Sequence, residues 1–398
     1  MSARPLLMIP GPIEISDAVA DAVAERPRAH TAPDFVAAYG RALDGMAQIW
    51  RAPEGAVPFA VPGSGTLAME TAASNLIDPG DAVVVASTGY FGDRMAEMLR
   101  RRGATVTLVQ APTVGDVPDV AAVREALAAT GAKALFATHV DTSTGVRIDP
   151  VPLAAAARDA GALSVFDGVC ATAAEAFDMA ALGADVYLTA SQKAIGLPPG
   201  MALWVASARA LATRAALTSP PPMSIDWQPW QPVMEAYRAG KPSYFSTPAT
   251  TLGWALAVGT TEILAGDADP AKAMELRWAA HRRTALGFRA AWAAMGLRLL
   301  PVRDEVTAHT LSALWLPDGV DAPRLLPEVR NRGAIIAGGL HPAVRERTFR
   351  VGHMGVVTGR PDALRLTVSA VAGGLAACGV SVDEAAALNA FDAAFQSA

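Results

Sequence analysis

Lys193 is the only charged side chain between Asp185 and Arg209, in the stretch LTASQKAIGLPPG. A lysine among small and apolar neighbours has two readings. Either it sits on a surface turn and points into water, or its charge is meant to be lost, as in a Schiff base. Asp167 closes the apolar run LSVFD. The carboxyl edge of a parallel sheet is where ligands collect, and a carboxylate there suits a protonated ring nitrogen. It equally suits a cap on the following turn. Gly63, Ser64 and Gly65 stand between the strand-like VPFAV and the helical TLAMETAASNLI. Backbone N–H groups at a helix start bind anions, although a glycine turn alone is also an ordinary structural loop. The same residues fit G-x-G-x-x-A, but a dinucleotide site needs an acid at the end of the next strand. That strand, AVVVA, runs into Ser87 and Thr88. A phosphate outside a dinucleotide is therefore preferred. A phosphate cradle, an acid for a ring nitrogen and an isolated lysine are together what pyridoxal 5′-phosphate requires.

The elements that must position these groups follow from the patterning. Short apolar runs alternate with helical stretches from about residue 56 to 217. This predicts an α/β fold with a mainly parallel sheet covered on both faces. Lys193 and Asp167 then lie at one carboxyl edge on different strands. The stretch 219–248 is rich in proline and aromatics and reads as a long loop, functional or covered by a partner. A long helix over about 270–295 leads into the strand-like TLSALWLP, AIIAG and TFRV. The expected organisation is an N-terminal segment 1–15, a large domain 16–266 and a smaller α+β domain 267–398.

Composition excludes several classes. With 52% hydrophobic and 18% charged residues, a sizeable core can form. The net charge of −5 comes with no basic stripe, so nucleic acid is not an expected partner. Cys170 and Cys378 are far apart and outside any metal spacing. Pro5, Pro10 and Pro12 interrupt the apolar N-terminus, which reads neither as a signal peptide nor as a membrane span. The expected location is the cytoplasm.

PGPIEIS, GSG, STGYFGDR, THVDTSTGV, FDGVC, TASQKAIGLPPG, YFSTP and IIAGGLHPAVRERTFRVGHMG occur in order along nearly the whole chain. In these the sequence resembles the class V aminotransferases of fold type I, within the alanine–glyoxylate and serine–glyoxylate group. The resemblance implies a large domain with a seven-stranded sheet. It implies that Lys193 bonds the cofactor and moves the Cα proton, and that Asp167 bonds the pyridinium nitrogen. Ser64, Gly65, Thr66 and Gln192 would hold the phosphate, and Phe91 would stack on the ring. Thr142 would stand near the 3′-oxygen. Tyr244 and Thr247 would reach the phosphate of a neighbouring subunit in a homodimer with shared sites. Arg350 would clamp the substrate carboxylate. Other readings stay open beside these: helix core for Phe91, a turn for Thr142, and an outward edge-strand position for Arg350. His139 and His353 read as satisfied structural histidines, and Cys170 as packing.

The implied reaction is ping-pong transfer of an amino group from a small amino acid, alanine favoured, to glyoxylate. Serine–glyoxylate or serine–pyruvate exchange is the nearest rival. A cysteine desulfurase-like lyase is weaker, since neither cysteine lies in a flexible loop. Arg350 is the one carboxylate clamp found, so a donor with a single carboxylate is expected.

Overall fold

The computed structural model describes residues 4–397. Seven apolar runs form the central sheet: β1 (Val57–Pro62), β2 (Ala82–Ser87), β3 (Thr105–Gln110), β4 (Ala134–Thr138), β5 (Leu163–Asp167), β6 (Val186–Ala190) and β7 (Met201–Ala206). Their spatial order is β1-β7-β6-β5-β4-β2-β3. Only β7 runs against the rest, pairing antiparallel with both β1 and β6. Most of these strands are buried along their whole length, as expected of a sheet with two covered faces.

Parallel neighbours need crossovers, and the chain supplies them as helices. α1 (Gly65–Leu76) follows β1 and α2 (Tyr90–Arg101) follows β2. Ser64 caps α1 by accepting from Leu67 N–H. The link from β6 to β7 differs. Residues 191–200 turn back without a helix, fixed by Ser191 Oγ, which donates to the Pro198 carbonyl (2.7 Å) and accepts from Met201 N–H (3.1 Å).

The stretch 219–248 corrects an expectation. It contains an α-helix, α3 (Trp227–Arg238), rather than a continuous loop. Pro229 stands in the first turn, where its missing N–H has no intrahelical partner to lose. Pro232 is inside the helix and is tolerated because one face is buried: Trp227, Trp230, Val233, Met234 and Tyr237. Trp227 stacks on Phe59 and Trp204, and its backbone N–H donates to Asn75 Oδ1 (2.9 Å).

α4 (Pro270–Ala294) joins this core to a second one built on a three-stranded antiparallel sheet. The sheet's strands are β8 (Leu311–Trp315), β9 (Ala337–Gly338) and β10 (Thr348–Gly352), in the order β8-β10-β9. The run AIIAG, expected as one strand, is split at Ile336. Ala334–Ile335 pairs with Leu6–Leu7, whereas Ala337–Gly338 pairs with β10. The N-terminal segment is thus tied to the second core, with Met8 inside it.

Trp227→Ala should destabilise the chain by about 3–5 kcal/mol, read from urea unfolding. Trp227→Phe keeps the stacked ring and removes an indole N–H that has no partner. It should cost less than half as much.

Candidate active site

Five chain segments converge at the carboxyl edge of the sheet: the turns after β1, β2, β4, β5 and β6. Asp167 ends β5 and is 3% exposed. Its Oδ1 accepts from Val169 N–H (2.9 Å), and no donor among the described residues meets Oδ2. Burial pushes its pKa up to about 7, against the Val169 hydrogen bond; Asp141 adds to the rise, and Lys193 and Arg94 oppose it. A carboxyl held this dry, with one oxygen free, is primed to accept a cationic N–H.

Lys193 lies beyond β6 and is 8% exposed. Burial lowers its pKa, Cys170 raises it, Arg350 lowers it and Asp167 raises it. The surface-turn reading is therefore excluded. Its Nζ donates to the Pro10 carbonyl. Gly11 has φ +116°, and a Cβ there would lie 2.7 Å from the lysine Cδ, Cε and Nζ. Only glycine allows the N-terminal strap to cross the lysine so closely.

At the α1 start, Gly65 is buried against Val169 and Ala190, while Ser64 and Thr66 are exposed. The N–H groups of Gly65 and Thr66 meet no acceptor among the described residues. Gln192 Oε1 is buried without a partner, and a half-turn of the amide would put a donor in its place. These unmet groups fit a phosphate.

Phe91 is half-buried in the first turn of α2. The helix cap there is Gly89, which has no side chain to offer. Asp141 replaces it: Oδ2 accepts from Phe91 N–H (2.9 Å) and Gly92 N–H (3.3 Å). Its Oδ1 accepts from Ser143 N–H (2.9 Å) and Ser143 Oγ–H. Burial raises the Asp141 pKa, and these hydrogen bonds lower it. Arg94 lies over the rings of Tyr90 and Phe91, at 4.7 and 5.1 Å, and donates to Thr66 Oγ1 (3.3 Å). Thr142 is buried, and its carbonyl accepts from Arg350 Nη1 (3.1 Å). Arg350 Nε donates to the Gly338 carbonyl (2.9 Å). Half-buried on β10, Arg350 faces the site with Nη2 uncommitted among the described residues.

The family follows from comparison with known sequences. A family model described as aminotransferase class-V matches residues 21–249. Alanine–glyoxylate aminotransferase 1 of Saccharomyces cerevisiae is 35% identical, covering 88% of this chain and 92% of its own. The chain belongs to the class-V aminotransferases. L-aspartate–glyoxylate aminotransferase of Paracoccus denitrificans is 32% identical over 94% of this chain and 91% of its own. The crystal structure of an alanine–glyoxylate aminotransferase from Nostoc sp. superposes with a TM-score of 0.86 at 27% identity, over 94% of this chain and 96% of that one. This class-V aminotransferase has the fold of the pyridoxal-phosphate transferases of fold type I and is a pyridoxal 5′-phosphate-dependent transaminase.

Two sequence-selected residues are not brought to this centre. Tyr244 and Thr247 are exposed, with Tyr244 Oη 3.5 Å from Thr247 Oγ1 and its ring beside His30. The histidines also need correction. His139 Nδ1 meets Tyr187 Oη (2.9 Å) and His353 Nε2 meets Ser312 Oγ (3.1 Å), but the second nitrogen of each is buried without a partner. Burial lowers His139 to about 4 and His353 to about 3, so both are neutral. Cys170 is buried with Sγ 3.7 Å from Thr310 Oγ1. Pro10, Gly11, Asp141 and Arg94 were not assigned roles from sequence. Asp141 had a local signal, an Asp preceding Thr-Ser-Thr in a turn; the strap over Lys193 had none.

Asp167 sets a pH dependence. Folded, it keeps its proton to about pH 7; unfolded, it loses it near pH 4. Its contribution to stability therefore falls as pH rises from about 4 to about 7 and is constant above. In cofactor-free protein, the stability of Asp167→Asn relative to wild type should climb between pH 5 and 7 and level off by about pH 8, read from urea unfolding at each pH.

Proposed function

We propose that this enzyme moves the amino group of a small monocarboxylic amino acid, alanine first, to glyoxylate, giving pyruvate and glycine. The observation that carries the reading is the placement of Arg350. Its guanidinium is anchored on the Thr142 and Gly338 carbonyls and depresses the Lys193 amine electrostatically, and its Nη2 is open to a carboxylate. Similarity to the yeast alanine–glyoxylate enzyme supports the choice of donor and acceptor.

In this reading Gly65 and Thr66 N–H, Ser64 and Gln192 would hold the phosphate, and Phe91 and Thr142 would contact the ring and its 3′-oxygen. Asp167 would accept from the ring nitrogen, and a cation there would favour its ionised form. When bound, pyridoxal phosphate supplies an electron sink for the carbanion that deprotonation leaves. Lys193 holds the cofactor between turnovers. Once free, its amine loses its proton more readily than an exposed lysine, because burial disfavours the charge. It can then take the substrate's Cα proton and later deliver it. Arg350 orients the substrate through a forked pair with the α-carboxylate. The Pro10–Gly11 strap excludes water above the lysine.

Tyr244 and Thr247 project from their own chain, and we assign them to the phosphate of a second copy in a homodimer. The 62% exposure of a tyrosine there supports that assignment. Two free cysteines are in keeping with a cytoplasmic enzyme.

A second reading has its own observation. Arg94 lies near the phosphate cradle and acts electrostatically on Asp167, which makes it a second cation for a dicarboxylic donor. The aspartate–glyoxylate relative supports that alternative.

Loading with pyridoxal phosphate should give a visible band that borohydride bleaches irreversibly, and Lys193→Ala should bind the cofactor without that covalent trap. A colourless wild type after loading would sink the reading. Mixing the loaded enzyme with single amino acids separates the donors: alanine should convert the band faster than aspartate, and the reverse order selects the Arg94 alternative. Arg350→Ala should raise KM for alanine about 10- to 100-fold, as loss of a charge-assisted pair implies, with cofactor affinity nearly unchanged.

A further inference from the structure

Arg277, in the first half of α4, carries a charge that the reaction proposed above does not use. Burial lowers its pKa to about 10, with Glu262 pulling the other way, so it is a cation at neutral pH. Among the described residues no carboxylate pairs with it at salt-bridge distance. Its Nε donates to the Ala173 carbonyl (2.8 Å) and its Nη2 to the Ala194 carbonyl (2.7 Å). Burying a guanidinium against neutral acceptors alone is costly. What such a group offers in return is a rigid planar fork that fixes two acceptors at a set spacing.

The two acceptors belong to the two loops that matter most. Ala194 follows Lys193. Ala173 lies in the turn that follows Asp167 and has φ 62°, a left-handed conformation that a residue with a Cβ adopts only when its surroundings hold it there. One helical turn further on, His281 reaches the other half of the site. Its Nε2 accepts from Gly355 N–H (3.0 Å), so the proton is on Nδ1, which donates to the Arg277 carbonyl (2.8 Å). Gly355 follows β10, the strand that carries Arg350. A single turn of α4 therefore touches the aspartate loop, the lysine loop and the segment behind the carboxylate clamp.

We infer that Arg277 is a positioning residue whose fork fixes the lysine loop relative to the aspartate loop, so that it governs amino transfer through Lys193 and Asp167 without touching substrate or cofactor. This rests on the roles assigned to those two residues above.

Arg277→Met keeps the side chain's reach and removes both donors. Arg277→Lys keeps the charge on a single centre that cannot span both carbonyls. Each is compared with wild type in thermal unfolding, pyridoxal phosphate stoichiometry and visible ellipticity of the bound cofactor. Two further readouts are the rate at which trinitrobenzenesulfonate labels Lys193 in cofactor-free protein and the single-turnover reaction with alanine. Both variants should bind a full complement of cofactor with diminished ellipticity. The saturating rate should fall about 10- to 100-fold, as displacement of a reacting group implies, with apparent KM changed by less than about threefold. Lys193 should label several-fold faster, because its loop is no longer held dry. Variants that lose thermal stability but keep wild-type labelling, ellipticity and saturating rate overturn the inference. Should the Met variant not fold, the Lys variant decides by the same readouts. A wild type with no visible band overturns the cofactor assignment instead, and the labelling contrast still decides the role of Arg277.

Discussion

An amine kept out of water is the constraint around which this molecule is arranged. Lys193 is enclosed by the strap at Pro10–Gly11, by small residues of its own loop and by the second core that brings Arg350 toward it. Desolvation is the largest influence on its proton, and on that of Asp167. The two shifts are opposite in charge and share one cause. Dryness favours the neutral amine and the neutral acid, and a cationic ring placed between them restores the carboxylate while leaving the amine free to act as a base.

Holding such groups dry needs support that does not itself react. The carboxyl edge of the sheet supplies origins for five segments, but their ends are fixed by polar contacts behind the visible site. Asp141 caps the helix that carries Phe91, and the carbonyl of the next residue, Thr142, receives Arg350. The helix that bears Phe91 and the guanidinium of Arg350 thus share one short turn. Arg277 makes a comparable connection from the other side. A structural change at either position reaches the chemistry through geometry.

Much of this was legible in the sequence. The alternation of apolar runs and helical stretches over about 56–217 anticipated the mainly parallel sheet, because buried parallel strands read as near-continuous apolar runs. Asp167 and Lys193 stood out since a charge at the end of an apolar strand needs a reason. The misread stretch, 219–248, shows the limit of local signals. Pro229 and Pro232 argued against a helix, while Trp227, Trp230, Val233, Met234 and Tyr237 form a buried face whose stability comes from Phe59 and Trp204, far away in the chain. The split of AIIAG has the same origin, since its two halves answer to different partner strands. Pro10 on Lys193 and Arg277 on Ala194 are contacts across 183 and 83 residues of chain, and no periodicity or spacing encodes them.

The reversed direction of β7 has a consequence for how this lysine is tuned. Because β6 returns to an antiparallel neighbour, the chain after it forms a hairpin-like bend, and no helix begins at Lys193. Lys193 is therefore not part of the first turn of a helix, where the positive end of that helix's own backbone dipole would act on it. Its acidity is set first by burial, with Arg350 adding to the effect and Cys170 and Asp167 opposing it. The Pro10–Gly11 strap lies against the lysine's outer end, so this stretch from the start of the chain takes part in setting the acidity of a group 183 residues further on.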